Sequence, residues 1–195
     1  MLRELRSALV AVLVLTVLLG LAYPLAITGV AQLLWSGEAN GSRVLEHGRT
    51  VGSSLIGQDF AADSAYFQSR PSVSAYDPAE TAASNLGPNS ALLASEIRTR
   101  AAQFLRRERP YDRGLTLAAI PADAVTASGS GVDPDISLAN ARIQAHRVAA
   151  LRHLRLAAVL RLVAGSTHSS AGGLFGPEAV NVLNLNMALD ALRSR

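Results

Sequence analysis

The feature that most constrains this chain is a long uncharged run near its N-terminus. No charged residue occurs between Arg6 and Glu38, and Leu, Val and Ala dominate the stretch. About 20 apolar residues suffice to cross the hydrocarbon core of a bilayer, so the run is long enough to span a membrane with some tilt. We therefore predict a transmembrane anchor over residues 1–37 and a soluble domain over residues 38–195.

Two residues within this run refine the anchor. Pro24 would weaken a soluble helix but is tolerated in a membrane span, and it predicts a kink near Tyr23. Trp35 stands where an interfacial aromatic residue is expected. The alternative is a cleaved signal peptide, with a small-residue site at residues 29–31, but the apolar core of a signal peptide is only about 7–15 residues long.

The positive charges near the two ends of the span predict its orientation. Arg3 and Arg6 precede the span closely, whereas Arg43 and Arg49 follow at a distance. Positive residues favour the cytoplasmic side, and a long trailing domain is translocated largely regardless of its charge. We expect the N-terminus in the cytoplasm, the span in the cell inner (cytoplasmic) membrane, and the soluble domain outside it.

Composition excludes several classes of function. The 195 residues carry a net charge of +3 and include neither cysteine nor lysine. Disulfides, thiol nucleophiles, cysteine-ligated metals, Schiff-base chemistry and a lysine-containing P-loop are therefore excluded. Arginine without a large charge excess gives little reason to expect nucleic-acid binding.

The remaining sequence predicts one mixed domain, α+β or α/β, with an unusually long loop. Residues 58–89 are rich in Ser, Ala, Pro, Asp and Asn, and a loop of this length is usually functional or ordered by a partner. Patterning and turn residues predict the other elements. In chain order they are a polar linker over 37–48, a short strand over 51–56, an amphipathic helix over 90–109, a strand over 120–126, one or two helices over 138–163 with Ser137 as N-cap, a Gly/Ser-rich loop over 165–176, a strand over 180–182 and a short helix to Leu192.

The Gly- and Ser-rich run over residues 126–134 is the most conspicuous local motif. Its backbone N–H groups could form an anion-binding nest. It lacks the G-x-G-x-x-G pattern and a following lysine, so it supports a nucleotide site only weakly. A tight turn with Asp133 and Ser137 satisfying backbone donors is the principal interpretation, and contact with a partner is the next.

Other polar groups give weaker signals for chemistry. Ser128 or Ser130 with a histidine would be needed for a hydrolase, but no G-x-S-x-G motif is present. His146 and His153 make a poor metal site without a third ligand, and we expect both at the surface. For two further groups of polar residues, the sequence does not decide between a structural role and contact with a partner. The first group is an arginine-rich helical region, expected to be a solvated face: Arg142, Arg147, Arg152, Arg155 and Arg161. The second is a set of three C-terminal asparagines that could cap the last helix or bridge to a partner: Asn181, Asn184 and Asn186.

Many short motifs, taken together and in order, resemble the C subunit of the bacterial potassium-transporting P-type ATPase, the Kdp system. They cover nearly the whole chain. They are residues 21–24, 40–42, 52–58, 66–67, 70–72, 84–88, 125–137, 144 with 147–149, and 180–183 with 185–186.

This resemblance implies a non-enzymatic accessory subunit of a pump that imports potassium at the expense of ATP. Its partners would be a channel-like potassium-binding subunit, a P-type ATPase catalytic subunit and membrane lipid. ATP and potassium would be handled by the complex, with no cofactor bound by this chain. The subunit would assemble and stabilise the pump, and the family's C subunit is described as a catalytic chaperone that raises ATP affinity.

The resemblance also marks candidate contact residues and a region of divergence. The candidate partner-contact or loop residues are Ser84, Asn85, Gly87, Thr126, Ser128, Gly129, Ser130, Gly131, Asp133, Gln144, Arg147, Asn181 and Asn186. The chain departs from the family pattern between Ala145 and Gly176, where an Arg/Leu-rich segment replaces an acidic helix. The alternative function is a stand-alone, membrane-anchored binding module or sensor.

Overall fold

The computed structural model describes residues 1–170 and 175–193. Two compact units divide between Val51 and Gly52. The first contains the apolar helix and most of a small hairpin, and the second contains the mixed domain. The functional boundary expected after residue 37 stays a prediction.

One helical run, Leu2–Leu34, makes up most of the first unit. It is 33 residues long, none of its apolar window is buried, and its length and composition suffice to cross a membrane. It consists of α1 (Leu2–Val17), a π-helical turn (Leu18–Ala22) and α2 (Tyr23–Leu34). Pro24 lacks the N–H group that an α-helix would use at that position. A π-helical turn that ends two residues before the proline therefore lies where a kink was predicted.

The segment after this helix is more ordered than a linker. A single helical turn, α3 (Ser36–Ala39), precedes a hairpin of β1 (Arg43–Glu46) and β2 (Arg49–Ser53). His47 and Gly48, at the tip, both have positive φ, as a two-residue type I′ hairpin turn requires. The predicted linker over 37–48 is thus wrong, and the predicted strand over 51–56 begins two residues earlier.

Among its described residues, the second unit contains a three-stranded antiparallel sheet and four α-helices. Its sheet order is β3-β5-β4, with Ile136 opposite Val180 and Thr167 opposite the same residue on the other side. This segregated arrangement confirms the α+β class. In chain order the elements are α4 (Ala91–Glu108), β3 (Asp135–Ser137), α5 (Leu138–Leu151), α6 (Leu156–Gly165), β4 (Thr167–Ser170), β5 (Phe175–Asn181) and α7 (Val182–Arg193).

Two further predicted elements, over 120–126 and 165–176, differ from the structure. The strand expected over 120–126 is instead a pair of 3-10 turns, Leu117–Ala119 and Ala122–Ala124. Thr126 donates both its N–H and its hydroxyl to Ala122 O, which closes a turn rather than extending a strand. The loop expected over 165–176 contains β4 and the start of β5, while residues 171–174 lie outside the described residues.

The core lies between the sheet and helices α5, α6 and α7. It is made of small and branched side chains around one aromatic ring, Phe67, which is fully buried. Phe67 belongs to the long loop over residues 58–89, which contains neither helix nor strand, as expected. The loop is therefore an integral part of the core. The other members are Ile136, Ala141, Ala145, Val148, Ala149, Val159, Val163, Val180, Val182, Leu185 and Leu189.

Candidate functional site

A continuous line of hydrogen-bonded polar side chains is centred on helix α5, and we call it the α5 polar ladder: Asp123, Asn140, Gln144, Arg147 and Glu108. All are buried except Asp123, which is half-buried. Asn140, Gln144 and Arg147 lie on one helix face because they are spaced four and three residues apart. Each donates to the one before it, at 2.9 Å in every case. Asp123 and Glu108 terminate the two ends of this line.

The N-terminal end of the ladder fixes the start of α5. Ser137 accepts the Asn140 N–H at 3.1 Å and so caps the helix, which confirms the predicted cap. Its own N–H and hydroxyl are held by the Asp123 carboxylate at 2.9 and 2.7 Å. Asp123 was not identified from the sequence, because its partners lie 14 to 17 residues away.

Gln144 uses all its hydrogen-bonding capacity inside the protein. Its side-chain oxygen accepts from Gln68 N–H and from Arg147, at 2.7 and 2.9 Å. Its amide nitrogen donates to Gln68 O and to Asn140, at 3.0 and 2.9 Å. The Gln144 side chain thus bonds both the N–H and the carbonyl of Gln68, as the backbone of a neighbouring β-strand would do.

Arg147 forms the buried centre of the ladder. Its side chain is 1% exposed, and its Nε lies 3.0 Å from both carboxylate oxygens of Glu108, which is itself fully buried. The guanidinium also donates to the carbonyls of Ser64 and Tyr66 in the long loop. Burial lowers the pKa of the Arg147 guanidinium, and the nearby Glu108 carboxylate opposes that shift.

The solvated face predicted for the arginine-rich region is therefore wrong for two of its five members. Arg147 is in the core, and the Arg152 side chain is only 5% exposed. Arg152 lies over the Tyr66 ring at 4.3 Å, donates to Ala65 O and pairs with Asp190. Tyr66 donates its hydroxyl to the same carboxylate at 2.8 Å. The other three, Arg142, Arg155 and Arg161, are exposed as expected.

Two of the three C-terminal asparagines are also used internally. Asn186 accepts the Phe67 N–H at 2.9 Å and donates to Phe67 O at 3.0 Å. Asn181 accepts the Asn184 N–H and so caps α7, and its amide donates to Ser54 O at 2.8 Å. Of the two roles left open, capping of the last helix is confirmed for Asn181, whereas Asn186 binds the long loop of its own domain. Asn184 itself is exposed.

The Gly- and Ser-rich run forms a closed turn. Ser128 accepts the Gly131 N–H, and Ser130 accepts the Val132 N–H, at 2.9 and 3.2 Å. Gly131 has φ +76°, and a Cβ added there would lie 2.4 Å from Ser74 Oγ. Because backbone donors of the turn are used internally, the geometry supports a structural turn over an anion nest.

Several bonds join this turn to the long loop, among them the Ser72 hydroxyl donating to Gly131 O at 2.6 Å. Asp133 pairs with Arg70 at 2.7 Å, and Ala82 N–H donates to Ser130 O at 3.0 Å. Ala82 directly precedes the segment that contains the candidate contact residues. Among these, Ser84 is half-buried, whereas Asn85 and Gly87 are exposed. Gly129 has open space around it and Thr126 is half-buried, so the side of the turn near Gly129 remains accessible.

The structure gives no support to hydrolase or metal chemistry in the part of the chain that it describes. The hydroxyl oxygens of Ser128 and Ser130 bind turn backbone, and neither is bonded to a histidine there. No group of three or more potential metal ligands occurs among residues 1–170 and 175–193. His153 is exposed as expected, and His146 is half-buried beside a cavity of ≈ 570 Å³.

Sequence comparison places this architecture in a known family. The family model described as "K+-transporting ATPase, c chain" (KdpC) matches residues 5–191. A potassium-transporting ATPase KdpC subunit of Caulobacter vibrioides is 50% identical over 194 residues, covering 98% of this chain and 94% of that protein. KdpC subunits of Cereibacter sphaeroides and Mycobacterium bovis are 47% and 45% identical over 191 and 193 residues, covering 98% and 97% of this chain and 98% and 99% of those proteins. The chain therefore belongs to the KdpC family, the non-catalytic accessory subunits of the K+-transporting ATPase complex.

Proposed function

We propose that this chain is a membrane-anchored scaffold that assembles and stabilises the potassium pump. The observation that carries the proposal is that buried polar side chains of the matched motifs hold the chain's own long loop in place. Gln144, Arg147 and Asn186 all bind loop backbone rather than facing a cleft. A domain built this way presents a fixed surface to other subunits, while ATP and potassium are bound elsewhere in the complex.

The partners that fit this role are a channel-like potassium-binding subunit and a P-type ATPase catalytic subunit, together with membrane lipid around the anchor. Among the candidate contact residues, Asn85, Gly87, Gly129 and Ser130 are exposed and therefore available for contact. Their backbone is held by the turn and the long loop, so binding there would cost little ordering entropy.

The test of assembly is purification of the tagged full-length chain from its own membranes in gentle detergent. Two large polytopic partners, one of them a P-type ATPase, are expected to copurify. Recovery of the chain alone, under conditions that preserve a control membrane complex, would contradict the proposal. The stand-alone binding module would then be the better account, with the cavity of ≈ 570 Å³ lined by Arg142, His146 and Glu178 as its first candidate site.

The proposed topology places the N-terminus in the cytoplasm and the domain outside the inner membrane. Since the chain contains no cysteine, single substitutions Asn85→Cys and Arg3→Cys report the two sides directly. A membrane-impermeant maleimide added to spheroplasts should label Cys introduced at Asn85 and label the Arg3 site only after lysis. The reverse pattern would overturn the topology.

An effect on ATP affinity must then be indirect. A domain outside the membrane cannot touch ATP bound in the cytoplasm, so a chaperone-like effect would be transmitted through the assembled subunits. Coupling of this kind requires two states of the complex that the C subunit binds unequally. ATP affinity measured with and without this subunit should differ, whereas the isolated chain should bind no ATP. Saturable ATP binding by the isolated chain would refute the indirect route.

A further inference from the structure

A second surface of the domain is apolar and concave, and all of its lining except Val125 lies outside the matched motifs. We call it the α4 groove, and its cavity measures ≈ 510 Å³. Its floor includes Ala101 and Val125, which are 6% and 7% exposed, while Leu117 on the opposite wall is 64% exposed. Its apolar lining comes from α4 and the 3-10 turns: Ile97, Ala101, Ala102, Leu105, Leu117, Ile120 and Val125.

The rim of the α4 groove carries positive charge that the domain does not neutralise. Arg98 lines the groove, and Leu105 is shared with an adjoining cavity walled by Arg106, Arg109 and Arg113. All four arginines are exposed, and none forms a salt bridge or side-chain hydrogen bond within the described part of the chain.

The acidic residues of the same segment are already engaged. Glu96 pairs with Arg100 at 3.0 Å, and Glu108 is buried in the α5 polar ladder. Asp112 accepts the Gly114 N–H. Asp112 keeps its single negative charge, so the four arginines leave an excess of positive charge at the rim beside the apolar floor. A complementary ligand must combine apolar side chains with flanking carboxylates.

We infer that the α4 groove binds an acidic amphipathic segment of another subunit of the complex. Arg98 and Arg106 are eight residues apart on one helix, so at 1.5 Å per residue their Cα atoms lie about 12 Å apart along the helix axis. The segment places apolar side chains against Ala101 and Val125 and carboxylates at that spacing. This inference deepens the proposed assembly role and rests on it.

The recessed floor favours a polypeptide over a bilayer as the occupant. An anionic membrane surface attracts arginines but contacts protruding side chains, since amphipathic surfaces lie flat in the interface. Ala101 and Val125 lie at the bottom of the groove, where a side chain of a docked segment reaches and a flat interface does not. The arrangement of apolar centre and charged rim is also that of protein–protein interfaces.

A photo-crosslinking residue at position 117 tests the inference in the assembled pump. The full chain, carrying the crosslinker in place of Leu117, is coexpressed with the other subunits, purified in gentle detergent and irradiated. The expected product joins the chain to an apolar peptide of another subunit that contains Asp or Glu. Products with lipid only, products with a second copy of this chain, or no product from an intact complex would each overturn the inference and leave the assembly proposal standing. Absence of the other subunits would instead defeat the assembly proposal.

Charge and shape variants provide the matched controls. The double variant Arg98→Glu and Arg106→Glu should reduce the crosslink yield roughly tenfold, with a smaller loss at high salt, because like charges now face each other. Arg161→Glu, an exposed arginine on α6, should leave it unchanged. Ala102→Trp fills the groove from an exposed position and should also reduce the yield about tenfold, whereas Leu92→Asp on another face of α4 should not. Melting temperatures equal to that of the parent chain establish that each variant folds, and equal yields in all variants would overturn the inference.

Discussion

Removing the buried guanidinium with Arg147→Met is expected to be among the most damaging single changes to the domain. It leaves the Glu108 carboxylate buried with only the half-exposed Arg107, at 2.7 Å, as a charged partner. Breaking a buried ion pair in this way costs about 3–5 kcal/mol. The carbonyls of Ser64 and Tyr66 also lose a donor, each adding on the order of 1 kcal/mol if water cannot reach it. Since domains are stable by about 5–15 kcal/mol, a loss of about 3–5 kcal/mol or more removes much of the total.

The assay is urea unfolding of the full-length chain in mild detergent, followed by far-UV circular dichroism. The midpoint should fall with little change in slope, which identifies a loss of stability rather than a change in exposed surface. Hydrogen exchange should rise first at Phe67 and Gln68, the loop amides held by side chains of α7 and α5. The matched control is Arg107→Met, whose side chain is 37% exposed, and a loss of about 1 kcal/mol or less is expected there.

A double-mutant cycle isolates the ion pair itself. In the variant Arg147→Met with Glu108→Met, no unpaired charge is left in the core, so the combined cost should be smaller than the sum of the single costs by about 2 kcal/mol or more. The reasoning is refuted if Arg147→Met costs no more than Arg107→Met, or if the two single costs add.

Three further predictions concern other parts of the domain. Gly131→Ala should cost about 2 kcal/mol or more in urea unfolding because of its positive φ and the close Ser74 hydroxyl, whereas Gly129→Ala should be nearly neutral. Asn186→Ala should cost about 3 kcal/mol by the same assay, because it leaves both backbone groups of Phe67 buried without a partner. Burial, with the Asp59 charge, raises the pKa of the Tyr76 phenol from 10.0 to about 12. The unfolded chain therefore loses this proton first, so stability should be constant below about pH 10 and fall between about pH 10 and 12, and Tyr76→Phe should reduce that fall.

Controls distinguish these effects from general damage. Asn184→Ala changes an exposed asparagine two residues away, and a loss equal to that of Asn186→Ala would contradict the backbone-bridging role. Tyr111→Phe alters an exposed tyrosine, so an equal reduction of the alkaline fall there would argue against Tyr76. Equal destabilisation by the two glycine variants would remove the conformational argument for Gly131.

The elements that could be predicted from the sequence are those whose signals are local. The Ser137 cap lies three residues from the group it binds, and Ser90 likewise caps α4 by accepting the Leu93 N–H. The long apolar helix could be predicted in the same way, because the uncharged residues that indicate it are contiguous in the sequence. The wrongly predicted strand over 120–126 had branched residues but no visible partner strand, and Ala122 O closed it into a turn.

The candidate site could be identified only in part, because its geometry depends on distant pairs. Gln144 and Arg147 were marked through the family resemblance, but nothing near Arg147 in the sequence reveals Glu108, which lies 39 residues away. Asp190 was missed for the same reason, since it lies 124 residues from Tyr66. A sole acid among arginines at residues 106–109 is the one local signal that could have drawn attention to Glu108.

The hydrogen bonds that hold the long loop also constrain the order in which parts of the domain can fold. Residues near Phe67 take their path from Gln144 and Asn186, which follow them by 76 and 119 positions. During synthesis, the loop thus leaves the ribosome long before the side chains that define its path exist. Contacts between such distant positions form slowly. The early part of the domain therefore cannot fold completely before α7 has been synthesised. A chain that ended before Asn186 would lack the side chain that binds the backbone of Phe67.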